Sequence, residues 1–205
     1  MTTKGLLVRL DVKHGKDDEV EAFLKSAVPL LTNEPGTTAW FAIRFGRGEY
    51  GIFDAFPDEA ARQAHLNGAI AKALMQQADA LLTAPPRIER LDVLADKLPR
   101  TTPAEPITKG LVLTFKAKSG HEQDVQQFLR DAKPLVDDEP KTIAWFGIHL
   151  DDGHYGIFDV FPDHSGRFAH LTGQVPRELA RHALTLIGSL PDPELPNVLA
   201  SRFVT

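Results

Sequence analysis

Two pairs of aspartate and histidine are the residues of this sequence best suited to proton transfer. Asp54 precedes His65, and the same residue types recur 105 positions later as Asp159 and His170. A histidine with a pKa near neutrality takes a proton from a phenol-like substrate, and a neighbouring aspartate fixes its tautomer. The resulting enolate is electron-rich enough to reduce dioxygen without a metal or flavin. We therefore predict that both histidines act as bases oriented by the aspartates, with no cofactor.

A structural role would explain the same residues. The ring nitrogens of a buried histidine can bridge a helix to a strand, because buried polar groups are usually hydrogen-bonded. Asp54 can likewise form a salt bridge with Arg62 or accept hydrogen bonds from backbone amides. Both interpretations stay open from the residues alone.

The offset of 105 positions extends over nearly the whole chain. Trp40 aligns with Trp145, and the run Val93-Leu94-Ala95 recurs at 198–200. A repeat of this length corresponds to a small domain rather than to a solenoid unit. We place a first domain at residues 1–98, a proline-rich linker at 99–108 and a second domain at 109–205.

Each half shows the order strand, helix, strand, strand, helix, strand. Pro29 is expected to kink or end a helix that begins near Lys16, and Asp58 is expected to cap a second helix that Gly68 interrupts. Alternating apolar residues and β-formers predict the strands of the first half at 6–12, 38–45, 50–56 and 88–94. This order predicts an α+β fold of two tandem ferredoxin-like units with antiparallel sheets.

The turn of each hairpin is expected to decide which residues share a face. Asp152-Gly153 favours a two-residue turn, and its register places Phe41 opposite Asp54. Trp40 then lies on the other face of the sheet. We predict that a substrate contacts the aromatic residues on the aspartate face, which are Tyr50, Phe41, Tyr155 and Phe146.

Both faces of each predicted hairpin carry large apolar side chains, although helices cover only one face of a sheet. The uncovered face would be a large exposed apolar patch. We therefore expect the two halves to pair as a pseudo-dimeric α+β barrel within one chain. Further homodimerisation of the chain stays open.

Composition excludes several classes of function. The chain has 205 residues, 25% of them charged, and a net charge of −5. Its basic residues form no stripe, which argues against nucleic acid, and the first ten residues are too short an apolar segment for a membrane span. No pair of histidines has metal-ligand spacing, so we predict no metal. The absence of cysteine fits a reducing cytoplasm.

The segments Ala39-Trp-Phe, Tyr50-Gly-Ile-Phe-Asp-Ala-Phe-Pro-Asp and Arg62-Gln-Ala-His-Leu resemble the antibiotic biosynthesis monooxygenase family. The resemblance implies a dimeric α+β barrel with a pocket between sheet and helices in each unit. Members include cofactor-free oxygenases of aromatic polyketides and haem-degrading enzymes. Haem-degrading members carry a histidine near the position of His65 and His170, and an aromatic residue that Phe56 and Phe161 approximate. Their asparagine on the first strand has no counterpart here.

The resemblance implies a cofactor-independent monooxygenase acting on a small hydrophobic aromatic compound, polyketide-like or quinol-like. Phe56 and Phe161 join the predicted substrate contacts on this basis. One alternative is a protein of the same fold that binds a hydrophobic small molecule without turnover. Another is an interaction protein whose units have no pocket.

Overall fold

The structure is a computed structural model that describes residues 2–151 and 153–204. Its backbone divides into two compact units, which do not follow the two halves of the repeat. The first unit runs to Arg90 and also contains the chain from Asn197 onward, whereas the second unit is Leu91–Pro196. Each unit therefore contains a strand from the other half of the repeat. Asp152 of the predicted turn lies outside the described residues.

The first unit has an antiparallel sheet with helices between its strands. Its elements are β1 (Lys4–Asp11), α1 (Asp17–Ser26), a 3-10 helix (Val28–Asn33), β2 (Ala39–Gly46), β3 (Glu49–Phe56), α2 (Glu59–Leu66) and α3 (Ala69–Leu81). Within the unit the sheet order is β1-β3-β2, followed by the C-terminal strand Asn197–Phe203.

The second unit repeats this plan. Its elements are the part of β4 (Arg87–Lys97) from Leu91 onward, β5 (Lys109–Lys116), α4 (Glu122–Asp131), α5 (Lys133–Asp137), β6 (Ala144–His149), β7 (His154–Phe161), α6 (His164–Leu171), α7 (Gln174–Leu186) and β8 (Asp192–Glu194). The C-terminal strand of the first unit, Asn197–Phe203, is β9. The sheet order is β4-β6-β7-β5-β8, with antiparallel pairs. The predicted α+β class with two ferredoxin-like units is confirmed.

The local sequence signals for the helices are confirmed. Helix α1 ends at Ser26, and Pro29 lies in the 3-10 helix that follows, because proline lacks the N–H needed to continue an α-helix. The Asp58 side chain accepts a hydrogen bond of 2.8 Å from the Ala61 amide at the start of α2. Gly68 separates α2 from α3.

The predicted register of the hairpin is wrong by one residue. Gly46 pairs with Glu49 across the turn, but a β-bulge at Phe45 makes Arg44 the partner of Tyr50. All pairs beyond the bulge shift by one, so Trp40, and not Phe41, lies opposite Asp54. The second unit has the same shift. The amides of His154 and Leu150 donate to the carbonyls of Asp151 and His154, and Trp145 lies opposite Asp159.

This shift exchanges the two faces of the sheet. Trp40 lies on the helix-covered face, in the core cluster that contains Val20 and Leu24 of α1. Phe41 lies on the opposite face, where its ring is 6.4 Å from that of Phe53. The prediction that Phe41 shares the face of Asp54 is therefore wrong, and Phe146, paired with Phe158, is misplaced in the same way.

The final strands complete the two sheets by exchange. β9 pairs with β2, with Ala200 opposite Ala42, whereas the aligned Ala95 of β4 lies opposite Gly147 of β6. The predicted linker, 99–108, contains neither helix nor strand. Among the described residues, none of the helices is long and apolar enough to cross a membrane.

The exchange of strands predicts a specific disulfide. The chain has no cysteine, so the double variant Ala42→Cys/Ala200→Cys introduces one possible pair, at facing positions of neighbouring strands. We expect it to oxidise to a monomeric cross-linked product in non-reducing electrophoresis and peptide mapping. The matched variant Ala42→Cys/Ala95→Cys should stay reduced. Cross-linking of the second pair in place of the first would contradict the exchange.

Candidate functional site

A buried histidine lies between two carboxylates in the first unit. His65 Nδ1 is 2.5 Å from Glu34 Oε2, and His65 Nε2 is 3.6 Å from Asp54 Oδ2. Thr37 Oγ1 lies 3.3 Å from the same Nδ1. The ring of Phe56 is 5.3 Å from the imidazole. Both ring nitrogens therefore face acidic side chains.

The second unit repeats this arrangement with shorter contacts. His170 Nδ1 is 2.6 Å from Glu139 Oε2, and His170 Nε2 is 3.0 Å from Asp159 Oδ2. Thr142 donates to Glu139 at 2.6 Å. The ring of Phe161 is 5.5 Å from that of His170. We call the three residues Asp159, His170 and Glu139, and their counterparts in the first unit, the ion cluster.

Three different elements position the ion cluster. In the first unit, Asp54 belongs to β3, His65 to the last turn of α2, and Glu34 to the loop after the 3-10 helix. Gly68 allows the glutamate to approach, because a Cβ there would lie 2.5 Å from Glu34 Oε1. Gly173 plays the same part beside Glu139. The cluster thus ties a helix and a loop to the sheet.

Burial and charge act in opposite directions on the first cluster. Burial raises the pKa of Asp54 to about 6, although the nearby His65 charge opposes this rise. Burial alone would lower the pKa of His65, but the charges of Asp54 and Glu34 outweigh it and raise that pKa.

The second cluster holds its histidine as a cation. Burial would lower the pKa of His170, yet Asp159 and Glu139 together raise it to about 10. Burial raises the pKa of Asp159, and hydrogen bonds from His170 and Thr142 help to hold the pKa of Glu139 low. The expectation of a histidine with a pKa near neutrality is therefore wrong for His170, because a second carboxylate binds its other nitrogen.

Three buried polar atoms in or beside each cluster have no hydrogen-bond partner among residues 2–151 and 153–204. In the first unit they are Asp54 Oδ1, Glu34 Oε1 and the indole Nε1 of Trp40, and in the second unit they are both carboxylate oxygens of Asp159 and the indole Nε1 of Trp145. The tryptophan and the aspartate are opposite one another in β2 and β3, and in β6 and β7. The helix-covered face of each sheet thus has an unsatisfied indole donor opposite a carboxylate with at least one unsatisfied oxygen.

An apolar cavity of about 420 Å³ lies between the sheet and α7 of the second unit. Leu113 and Ile157 line it on the sheet side, and Leu179 and Ala183 on the helix side. His170 is the one titratable side chain in its lining, while Asp159 and Glu139 lie outside that lining. The cation of the cluster therefore borders an apolar space.

The first unit has a different cavity beside its histidine. It measures about 340 Å³ and is formed by the loop around Glu34 and by one side of α2, including Ala61 and Ala64. His65 borders it, but no residue of the sheet does. The two histidines therefore face differently built spaces.

The predicted tyrosine contacts are engaged elsewhere. The hydroxyl of Tyr50 donates to Asp17 Oδ1 in α1 at 3.0 Å, and that of Tyr155 accepts from Gln126 in α4 at 3.1 Å. Phe56 and Phe161 do lie against the histidines, whereas Phe41 and Phe146 lie on the far face of the sheet. Arg62, a proposed partner of Asp54, instead donates to the Gly5 carbonyl at 3.2 Å.

Sequence reasoning missed the glutamates. Glu34 and Glu139 each precede a proline, and a Glu-Pro pair is typical of a loop, which explains the residue without a role in a site. Their identity at the offset of 105, together with that of Thr37 and Thr142, was the available signal. Within the described part of the chain, no group of three or more His, Cys, Asp or Glu residues has the arrangement of a metal site.

Comparison with known proteins gives a family match for part of the chain. The family model described as antibiotic biosynthesis monooxygenase matches residues 5–77. No match was found among curated proteins. Of the solved structures, a "putative monooxygenase" from Fusobacterium nucleatum is 13% identical, covers 98% of this chain and 94% of its own, and superposes with a TM-score of 0.86.

Two further solved structures are similar. A second protein of that description, from Lactobacillus acidophilus, is 11% identical over 100% of this chain and 97% of its own, with a TM-score of 0.83. A protein of unknown function from Nitrosomonas europaea is 55% identical over 49% of this chain and 98% of its own, with a TM-score of 0.48. The Fusobacterium and Lactobacillus structures show that a fold of this kind, over the length of both units, occurs in two bacterial proteins.

The raised pKa of His170 predicts how stability depends on pH. Because the folded pKa of about 10 exceeds the unfolded value of 6.5, the cation's contribution is complete below the unfolded value and is lost as pH rises through about 10. The free energy of unfolding of the parent protein should therefore exceed that of His170→Gln most just below the unfolded pKa of 6.5. Urea unfolding should show this difference shrinking as pH approaches 10. A difference that grows with pH would contradict a stabilising imidazolium.

Proposed function

We propose that the chain, whose residues 5–77 match the family model described as antibiotic biosynthesis monooxygenase, is a cofactor-independent monooxygenase of small hydrophobic aromatic compounds. The observation that carries the proposal is the apolar cavity of the second unit, which ends on a histidine held between two carboxylates. The proposed substrate is a fused-ring phenol or enol of the polyketide or quinol kind.

The cavity suits such a compound in size and polarity. Its volume of about 420 Å³ falls within the range of small-molecule sites, about 300–1,000 Å³. Apart from His170, every residue in its lining is aliphatic or proline. A flat apolar ring system would bury most of its surface there, with its oxygen directed to the histidine.

The charge of His170 supports a role other than that of a base. An imidazolium in a poorly solvated space stabilises an anion beside it, and so lowers the pKa of a bound phenol or enol. Asp159 and Glu139 keep the ring charged and oriented. In this proposal His170 is still the catalytic residue and Asp159 still orients it, as predicted from the sequence. The histidine acts through its positive charge and not as a base.

The reaction is balanced without a further reactant. The substrate anion passes one electron to dioxygen, which gives a substrate radical and superoxide. These two combine at carbon, and a proton then completes the hydroperoxide. Loss of water from this hydroperoxide leaves a carbonyl group. A CH₂ group and O₂ thus give C=O and H₂O, with one oxygen atom in the product and the other in water.

One observation favours a second candidate, a protein that binds the same class of compound without turnover. Both ring nitrogens of His170 contact carboxylates, at 2.6 and 3.0 Å, so neither is available to a ligand. Under this alternative the ion cluster would only hold α6 and the loop at Glu139 to the sheet. Oxygen consumption separates the two candidates.

Filling the cavity should abolish activity. Ala183→Phe places a ring in the apolar space, while Leu184→Phe changes the next residue of α7, whose side chain is 91% exposed. With anthrone as the probe, we expect oxygen uptake and quinone formation by the parent protein and by Leu184→Phe. Ala183→Phe should lose both while its circular dichroism stays unchanged.

The same proteins distinguish the candidates from each other. Anaerobic binding of anthrone without oxygen uptake by the parent protein would favour the non-catalytic alternative. Equal activity of the two phenylalanine variants would place the reaction outside the cavity and overturn the proposal.

A further inference from the structure

The two halves of the repeat have diverged in the space between sheet and second helix. In the first unit α3 closes over the sheet, since Ala78, Leu81 and Leu82 are buried in one cluster with Val8 and Ile52. No more than 8% of any of these side chains is exposed. This part of the first unit is packed core.

The aligned part of the second unit is open. Ala183, Leu186 and Ile187 occupy the positions of Ala78, Leu81 and Leu82, and all three are only partly buried. Ala183 and Ile187 line the apolar cavity. The same helix therefore covers a filled space in one unit and a cavity in the other.

Prolines in the last strand accompany this difference. In the first half the last strand is continuous over Arg87–Lys97, whereas in the second half it is divided into β8 and β9. Pro193 and Pro196 stand where the first half has Ile88 and Leu91. Proline cannot donate to a strand ladder, and Pro196 lies at the break between β8 and β9. Pro193 lies on the cavity wall.

The surface beside the cavity has also become apolar. On the first unit, Arg90 donates to Gln63 at 3.3 Å and to Glu59 at 2.9 Å. The aligned positions of Arg90 and Gln63 in the second unit are Leu195 and Phe168, which are 49% and 68% exposed. Phe168 precedes the cavity residue Leu171 by one turn of α6. An apolar surface at this place suits a lipophilic ligand.

From these differences we infer that the second unit alone binds the hydrophobic aromatic substrate, one molecule per chain, and that the first unit is a structural copy. The inference rests on the proposed function. The ligand would enter past Phe168 and Leu171 into the cavity that ends on His170. His65, with the same carboxylate partners, would serve only to hold α2 and the loop at Glu34 to β3.

Calorimetric titration of the whole chain with anthrone, without oxygen, tests this assignment. We expect a stoichiometry of one. His170→Gln should weaken binding about tenfold, corresponding to about 1.4 kcal/mol, whereas His65→Gln should lower the melting temperature and leave the dissociation constant unchanged.

A reciprocal exchange of aligned residues provides variants that keep the fold. Ala180 lines the cavity, and the first unit has Met75 at the aligned position with 55% of its side chain exposed. Ala180→Met should weaken binding, and Met75→Ala should not. A stoichiometry of two, or a loss of affinity in His65→Gln equal to that in His170→Gln, would overturn the inference and leave the proposed function intact. Absence of both binding and oxygen uptake in the parent protein would overturn the proposed function, and this inference with it.

Discussion

A single imidazole between two buried carboxylates organises each unit. Burying an ionised group alone is costly, and removing one member of a buried ion pair leaves an uncompensated charge. The three residues of the ion cluster are therefore mutually dependent. Because they come from β3, α2 and the loop after the 3-10 helix, their contacts also fix how these elements meet. The presence of all three in both halves follows from this dependence whether or not the cluster takes part in a reaction.

Local signals in the sequence predicted the elements well, because they act over a few residues. Pro29 ends α1 by its missing N–H, Asp58 caps α2 with its own side chain, and Gly68 separates two helices. The hairpin register depended on one bulge at Phe45. No pattern near that residue distinguishes a bulge from a regular pair, since both faces are apolar. One residue of shift was enough to exchange Trp40 and Phe41 between the faces.

The missed parts of the site depend on contacts between distant residues. Glu34 lies beside a proline in a loop, which explains its residue type without any inward contact, so its partnership with His65 has no local signal. The exchange of the final strands is hidden for a related reason. Val93-Leu94-Ala95 and residues 198–200 are identical, and so either strand satisfies either sheet by pattern alone. Because the repeat made these segments identical, the sequence does not indicate which sheet each final strand joins.

The two units share the ion cluster but differ in the space beside it. Under the proposed function, the cavity and not the cluster alone therefore makes a binding site. Both units contain the same aspartate, histidine and glutamate, so these residues alone do not define a binding site. What differs is the neighbouring space: packed side chains under α3, and an open apolar volume under α7. In the first unit the space under α3 is filled, and His65 borders only the cavity between α2 and the loop at Glu34, which no residue of the sheet lines. The His170 cation beside an apolar cavity acts on whatever occupies that cavity, in surroundings where water screens its charge weakly. Chemistry in this chain therefore depends on where packing was relaxed, and the prolines of the second half are the sequence change that accompanies this relaxation.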